Sequence, residues 1–234
     1  MNTKYEILIK KSDFEILKVK ESSHNFPMHI HKRMCIGRID SGEKLLVINS
    51  KFHILKKSDL FFIPPYMPHA CYVEKGGSVS YTILSADDIR KISKETIFDD
   101  VIHSLIDVKN ISLIYEYGLK TADNFSYNES LIDRLTAYID KHSADQLSLK
   151  HLAHMVNLNP YYLVHKFKET TGLTPHQYII QARIRSLKKH FISDKKILNI
   201  ALDCGFYDQS HFIRHFKKHV GITPKDYFNS ITVI

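Results

Sequence analysis

Residues 200–227 of the chain read IALDCGFYDQSHFIRHFKKHVGITPKDY, and residues 152–178 read LAHMVNLNPYYLVHKFKETTGLTPHQY. The two stretches carry one pattern, because Gly172-Leu173-Thr174-Pro175 recurs as Gly221-Ile222-Thr223-Pro224, 49 residues later. Upstream of the turn the offset is 48, so the second copy has one more residue in its turn. An internal repeat of this kind indicates a duplicated structural unit.

Apolar spacing predicts two helices in each copy. Leu149, Leu152, Ala153 and Val156 recur at helical spacing, with Ala where a second helix must approach closely. The second helices carry apolar pairs four residues apart that are expected to face the core: Leu163 and Phe167 in one copy, Phe212 and Phe216 in the other.

Turn and cap residues complete the prediction of a helix-turn-helix in each copy. Asn157 and Gly205 stand where the turn needs a left-handed residue. Asn159 and Asp208 then suit the N-cap of the second helix. Each Thr-Pro pair starts another helix with Pro in its first turn. The helix that opens at Thr174-Pro175 is expected to run to about residue 190 and to join the two units rigidly.

The repeat resembles the signature of the AraC/XylS family of bacterial transcription regulators over residues 128–229. The resemblance rests on the strings Ile200-Ala201, Gly205-Phe206, Asp208-Gln209-Ser210-His211-Phe212, Arg214, Phe216-Lys217, Gly221, Thr223-Pro224 and Tyr227. It implies that the second helix of each unit enters the major groove of DNA, with the two helices about 34 Å apart.

The same resemblance implies which side chains face the DNA. The base-facing set is Tyr161, Tyr162, Val164 and His165 in the first unit, and Gln209, Ser210, Ile213 and Arg214 in the second. The donor and acceptor pattern of Gln209 suits adenine, and that of Arg214 suits guanine. Phosphate contacts, which give affinity without sequence information, are expected from Lys168, Lys217 and Lys218. The first unit departs from the family pattern at Asn159 and His165. The resemblance therefore does not indicate which bases the first unit reads.

The distribution of charge also indicates a nucleic-acid partner, but only for the carboxy-terminal part of the chain. The chain of 234 residues has a net charge of +8, and residues 144–234 hold 13 Lys/Arg against 6 Asp/Glu. A basic domain on a nearly neutral one indicates a polyanion partner for the basic part. The amino-terminal residues predict neither a signal peptide nor a membrane span, so we expect a cytoplasmic protein whose cysteines are thiols.

The amino-terminal half predicts strands and then helices. Short β-prone runs separated by turn signals favour a small barrel or sandwich: residues 5–9, 14–19, 44–48 and 60–63. Apolar residues from Ile92 to Val108 recur at helical spacing. The expected fold is α+β with two domains. A cupin-like sensing barrel occupies residues 1–86, helices for dimerisation or linkage occupy 87–121, and an all-α double helix-turn-helix domain occupies 128–234.

A partial match to the cupin pattern predicts a metal site in the barrel. His29 and His31 stand at the two leading His positions, Cys35 stands where the cupin pattern has Glu, and His69 falls on the third His position. Residues 29, 31 and 35 share parity, so on one extended strand they would point to the same side. Three imidazoles and a thiolate suit Zn²⁺, Ni²⁺, Co²⁺ or Cu better than Ca²⁺ or Mg²⁺.

Other interpretations of this half stay open. The histidines could serve the barrel structure without a metal, and an organic effector in an apolar pocket is weighed equally with a metal. We therefore expect a homodimeric, effector-controlled transcription regulator that is not an enzyme. It would be an activator that contacts RNA polymerase, since activation is the habit of the family. The alternative from another class is a metal-dependent cupin enzyme fused to a DNA-binding module.

Overall fold

The computed structural model describes residues 4–10, 14–48, 50–87, 131–187 and 197–229. The chain divides into two compact units. The first contains the strands apart from Phe26–His29, and the second contains the helices. The predicted helices at 87–121, the linker at 122–126 and the end of the joining helix near residue 190 lie outside the described residues.

The larger sheet of the β-unit has five antiparallel strands in the order β1-β2-β9-β4-β7. The strands are β1 Lys4–Lys10, β2 Phe14–Ser22, β4 Met34–Ser41, β7 Leu60–Ile63 and β9 Val79–Ala86. Apolar side chains on both faces of this sheet form the core of this unit. Ile16, Val19, Ile36, Ile39 and Leu84 are each at most 1% exposed.

The second sheet has four strands in the order β3-β8-β5-β6. They are β3 Phe26–His29, β5 Lys44–Ile48, β6 Lys51–Leu55 and β8 His69–Tyr72. The expected α+β fold with a β-rich first domain and a helical second domain is confirmed. Its β-domain, however, consists of two antiparallel sheets and not of one closed barrel, since β6 and β7 each end a sheet among the described strands.

The helical unit follows the repeat in the sequence. Its helices are α1 Leu131–Lys141, α2 Leu149–Met155, α3 Pro160–Thr171, α4 Pro175–Leu187, α5 Ile197–Asp203, α6 Gln209–Val220 and α7 Pro224–Asn229. The pairs α2–α3 and α5–α6 are the two predicted helix-turn-helix units. As predicted, α4 and α7 begin with the Pro of a Thr-Pro pair, because the missing N–H of Pro costs nothing in the first turn of a helix. Helix α3 also begins with a proline, Pro160, which the sequence patterns did not single out.

A polar network joins α1 to α4. The Asp140 carboxylate accepts hydrogen bonds from Arg185 Nη2 at 2.8 Å and from the Tyr178 hydroxyl at 3.2 Å. Arg183 Nε donates to the Ser143 carbonyl at 2.8 Å and Nη2 to the Asp145 carbonyl at 3.0 Å. These buried and partly buried charged groups fix α4 against α1 and the loop that follows it, because charge-assisted hydrogen bonds are directional and strong. None of the helices described is long and apolar enough to cross a membrane.

Candidate DNA interface and effector site

The turns of the two helix-turn-helix units make the same backbone hydrogen bond. The N–H of Leu158 donates to the Ala153 carbonyl at 3.0 Å, and the N–H of Phe206 donates to the Ala201 carbonyl at 3.1 Å. Asn157 has a φ of 53° and Gly205 a φ of 85°, so both occupy the left-handed region. The residues chosen from sequence for this conformation therefore adopt it.

The reading helices α3 and α6 are capped alike at both ends. Asn159 Oδ1 accepts from the Tyr162 N–H at 2.8 Å, and Asp208 Oδ1 accepts from the His211 N–H at 2.7 Å. At the carboxyl ends, the left-handed residues Gly172 and Gly221 close the last turn. Both N-cap predictions are borne out in the geometry. The caps fix the first turn, from which a helix of this motif contacts bases.

Aromatic pairs hold each reading helix on the next helix. The rings of Phe167 and Tyr178 lie 5.5 Å apart at 82°, and those of Phe216 and Tyr227 lie 5.5 Å apart at 69°. Edge-to-face contacts of this kind are favourable beyond the burial of area. All four side chains are at most 1% exposed. The opposite face of each reading helix therefore remains available to DNA.

The predicted DNA-facing side chains lie on the solvent side of α3 and α6. Tyr161 is 76% exposed and Tyr162 is 51% exposed. Val164 and Ile213 are half-buried, whereas the remaining predicted residues are exposed: His165, Lys168, Gln209, Ser210, Arg214, Lys217 and Lys218. Their contacts with bases and phosphates stay predictions, and their placement agrees with that role.

Tyr207 is the residue by which the second turn exceeds the first. It lies between Phe206 and the cap Asp208, and its side chain is 87% exposed. The change of offset from 48 to 49 marks this position in the sequence, but no sequence pattern indicates a role for it. Its place directly before a reading helix puts a large aromatic side chain beside the expected DNA surface.

Three of the four predicted metal-ligating residues come together. The candidate ligand atoms of His29, His31 and His69 all lie within 4.8 Å of one another. The rings of His31 and His69 are 4.5 Å apart. His69 is 1% exposed, and burial lowers its pKa to about 4, so its imidazole is neutral at neutral pH. A neutral imidazole is the form that binds metals.

The fourth residue, Cys35, lies beside this cluster and not within it. Its Sγ is 3.2 Å from His31 Nδ1, but Cys35 is outside the group of three whose ligand atoms meet. The expectation that residues 29, 31 and 35 share one extended strand is wrong. Strand β3 ends at His29 and β4 begins at Met34, so the chain bends between them.

Sequence patterns missed a buried lysine near the cluster. Lys44 is 4% exposed, and its Nζ lies 4.0 Å from the centroid of the Tyr81 ring. Burial lowers the pKa of Lys44 and raises the pKa of the neighbouring Cys71 thiol. The cation–π contact with Tyr81 offsets part of the cost of burying the amine. The burial of this lysine could not be predicted from the alternating pattern of the strand, because lysine side chains usually lie on the surface.

The geometry defines a double helix-turn-helix DNA-binding protein with a separate β-domain. Residues 152–230 match a family described as a helix-turn-helix domain, and residues 12–90 match the AraC-like ligand binding domain. Together the matches span more than half of the chain. The chain therefore belongs to the AraC family of DNA-binding transcription regulators with an amino-terminal ligand-binding domain.

Two curated relatives come from Bacillus subtilis. The bifunctional transcriptional activator/DNA repair enzyme AdaA is 38% identical over 94 residues, which are 40% of this chain and 44% of AdaA. The uncharacterized HTH-type transcriptional regulator YbfI is 24% identical over 84% of this chain and 85% of its own length. The chain thus spans less than half of AdaA and most of YbfI.

A solved structure shares the fold of this chain. The unsaturated fatty acid-bound ToxT of Vibrio cholerae strain SCE256 superposes with a TM-score of 0.64 over 96% of this chain and 98% of that chain. Its sequence is 14% identical. At this identity the similarity establishes the fold.

Proposed function

We propose that this chain is a cytoplasmic transcription activator whose effector is a transition-metal ion bound by His29, His31 and His69. The observation that supports this metal site is the convergence of three imidazoles, whose ligand atoms lie within 4.8 Å of one another. Binding of the ion in the β-domain would alter the DNA affinity of the helix-turn-helix units. The protein acts in this proposal by binding, without catalysis.

Hydrogen bonds to the backbone support the ligand role of two rings. His29 Nδ1 is 2.7 Å from the Pro27 carbonyl oxygen, and His69 Nδ1 is 2.8 Å from the Met67 carbonyl oxygen. A carbonyl oxygen only accepts, so each Nδ1 carries the hydrogen and the ring lone pair lies on Nε2. Metal-binding histidines are commonly oriented in this way, with the second ring nitrogen donating to a carbonyl.

The donor chemistry favours borderline and softer divalent ions. Three imidazole nitrogens suit Zn²⁺, Ni²⁺, Co²⁺ or Cu²⁺, whereas Ca²⁺ and Mg²⁺ prefer oxygen ligands. The Cys35 thiol lies beside His31 and would supply a fourth, sulfur ligand after rotation of its side chain. Three imidazoles and one thiolate form a donor set typical of Zn²⁺.

The DNA half of the proposal rests on α6 in particular. Gln209 and Arg214 are exposed on the reading helix and carry the donor patterns that suit adenine and guanine. Lys217 and Lys218 lie on the same helix for phosphate contacts. The activator role is supported by the name of AdaA, a transcriptional activator. An activator of this kind would contact RNA polymerase beside its operator.

Elemental analysis of protein purified without a chelating column tests the effector. We expect about one transition-metal ion per chain, lost in His31→Ala and weakened in Cys35→Ser. His154→Ala is the matched control, because His154 is exposed on α2 and is not one of the three clustered histidines. Titration of the metal-free protein with Zn²⁺, Ni²⁺, Co²⁺ and Cu²⁺, read by gel shift, then measures the change in DNA affinity.

Two outcomes would overturn the metal as effector. One is that the metal-free protein binds none of the four ions in calorimetry, a result that would favour an organic effector. The other is equal metal loss from His31→Ala and His154→Ala. Catalytic turnover that depends on the ion would instead favour the fused cupin enzyme.

A further inference from the structure

Lys44 and Cys71 form a pair of nucleophilic side chains inside the β-unit. Lys44 is 4% exposed and Cys71 is 6% exposed. Their side chains share a hydrogen bond. Neither residue belongs to the group of three histidines whose ligand atoms meet. An amine and a thiol are therefore in contact in the core, and the proposed metal site uses neither of them.

The register of the second sheet brings the two side chains together. Cys71 on β8 lies opposite Leu46 on β5, and Lys44 is two residues from Leu46 on the same strand. Residues opposite one another, and residues two apart on one strand, point to the same face of a sheet. The Lys44 amine extends from this face to the ring of Tyr81 on β9, where its Nζ is 4.0 Å from the ring centroid.

A lysine at position 44 is costly for the fold. An apolar side chain would pack against Leu46 and Tyr81 without the free-energy cost of removing an amine from water. Buried ionisable groups with specific polar neighbours are concentrated at functional sites. Burial also lowers the pKa of Lys44, which favours the uncharged amine, the form that acts as a nucleophile. The pair therefore indicates a chemistry that needs both an amine and a thiol.

We propose that Lys44 and Cys71 form a covalent site for a small aldehyde, which becomes a one-carbon bridge between Nζ and Sγ. The amine adds to the carbonyl carbon and gives a carbinolamine. The hydroxyl group then leaves as water with the proton of the thiol, and the sulfur forms a bond to the same carbon. Formaldehyde thus gives N–CH₂–S and one water, and no oxidant is needed because the carbon keeps its oxidation state.

The packing around the pair favours the smallest aldehydes. Lys44, Cys71 and Tyr81 are each at most 6% exposed. A single carbon takes the place of the hydrogen bond between the two side chains, whereas a longer carbon chain would overpack the core. This inference goes beyond the proposed function and does not depend on the metal ion.

Mass spectrometry of the full chain tests the site with formaldehyde as the probe. At one equivalent we expect a gain equal to the mass of formaldehyde less that of water, and a peptide map that links Lys44 to Cys71. Lys44→Arg and Cys71→Ser should each abolish the linked peptide. Cys204→Ser is the matched control and should retain it. Cys204 is 3% exposed, and its basic neighbour is the guanidinium of Arg183.

Two further measurements keep the test decisive. Lys44→Met fills a similar volume without an amine, so it replaces Lys44→Arg if urea unfolding shows that the arginine variant does not fold. Propanal at the same concentration should give little bridge. The proposal is overturned by a linked peptide that persists in Lys44→Met, by modification of the exposed Lys51 ahead of Lys44, or by equal reaction with propanal. The metal content of Cys71→Ser, measured separately, distinguishes failure of this site from failure of the metal site.

Discussion

The Asp208 carboxylate accepts a hydrogen bond of 2.7 Å from the backbone N–H of His211. This bond satisfies one of the amide groups that have no partner in the first turn of a helix. It sets where α6 begins, and so which side chains its first turn presents to DNA. The Asn159–Tyr162 bond of 2.8 Å does the same for α3.

Replacing the cap should weaken the second unit. We expect Asp208→Ala to lower the free energy of unfolding by about 1 kcal/mol, the usual cost of a lost N-cap. Asp208→Asn should cost far less, because its side-chain oxygen can still accept the bond. Urea unfolding of both variants checks this, and an equal loss in both would mean that the Asp208 charge matters and the cap does not.

Arg214 and Lys218 should differ in what they contribute to DNA binding. Arg214→Ala should remove about 1–3 kcal/mol of preference for the cognate site, since it removes a contact to base edges. Lys218→Ala should weaken binding to all sequences and lower the salt slope by about one, since it removes a phosphate contact. Gel-shift titrations against a selected duplex and a scrambled duplex measure both effects. Equal losses from the two changes on both duplexes would contradict the distinction.

Tyr207 should contribute to DNA binding from the turn. We expect Tyr207→Ala to weaken binding about tenfold, or about 1.4 kcal/mol, because a large exposed ring beside the reading helix is removed. Tyr207→Phe separates the hydroxyl from the ring. Leu131→Ala is the control, since Leu131 is 46% exposed on α1. If Tyr207→Ala binds DNA with the same affinity as this control, the Tyr207 ring does not contact the DNA.

Gly205 should not tolerate a side chain. A Cβ at this position would lie 2.5 Å from the Ala144 carbonyl oxygen, and the φ of 85° is strained for other residues. We expect Gly205→Ala to lower the free energy of unfolding by about 2 kcal/mol or more, through left-handed strain and the clash. Asn157→Gly, at the matching turn, should change stability little. Thermal unfolding compares the two, and similar changes in both would contradict this account.

His215 should make the helical unit sensitive to acid. Partial burial and, to a smaller extent, the positive charges of His211, Arg214, Lys218 and His176 together lower its pKa to about 4. In the unfolded chain the pKa is near 6.5. The unfolded chain therefore binds the proton more readily between these values, so stability present above about pH 6.5 is lost as the pH falls toward 4. His215→Gln should flatten that loss, as measured by urea unfolding at pH 7.5 and 5. An unchanged pH dependence in the variant would contradict the assignment.

The helical half could be predicted in detail because its signals are local. Capping residues, the left-handed turn positions and the Thr-Pro starts act within a few residues of one another. The repeat then supplied an independent copy of each signal. The structure places Asn157, Asn159, Gly205 and Asp208 in the roles that their chemistry indicated.

The β-half was predicted less completely because sheets depend on distant contacts. Strand β4 was missed although it lies inside the larger sheet, since Gly37, Arg38 and Asp40 break the apolar alternation. The ring of Phe61 on β7 covers Gly37 and fills the space of its absent side chain. Thr82 on β9 and Arg38 both donate to the Asp40 carboxylate, which satisfies these polar groups inside the sheet. No local pattern carries such cross-strand pairing.

The matching frameworks of the two units bear on how the regulator can change during evolution. The turn hydrogen bond and the N-cap are each complete within a helix-turn-helix unit, and the aromatic pair joins its reading helix to the next helix only. None of them uses the exposed DNA-facing side chains. Substitutions on the outer face of α3 can therefore accumulate without loss of folding or of α6 recognition. One half of an operator is free to drift while the other half is kept, which suits the unusual residues that α3 carries.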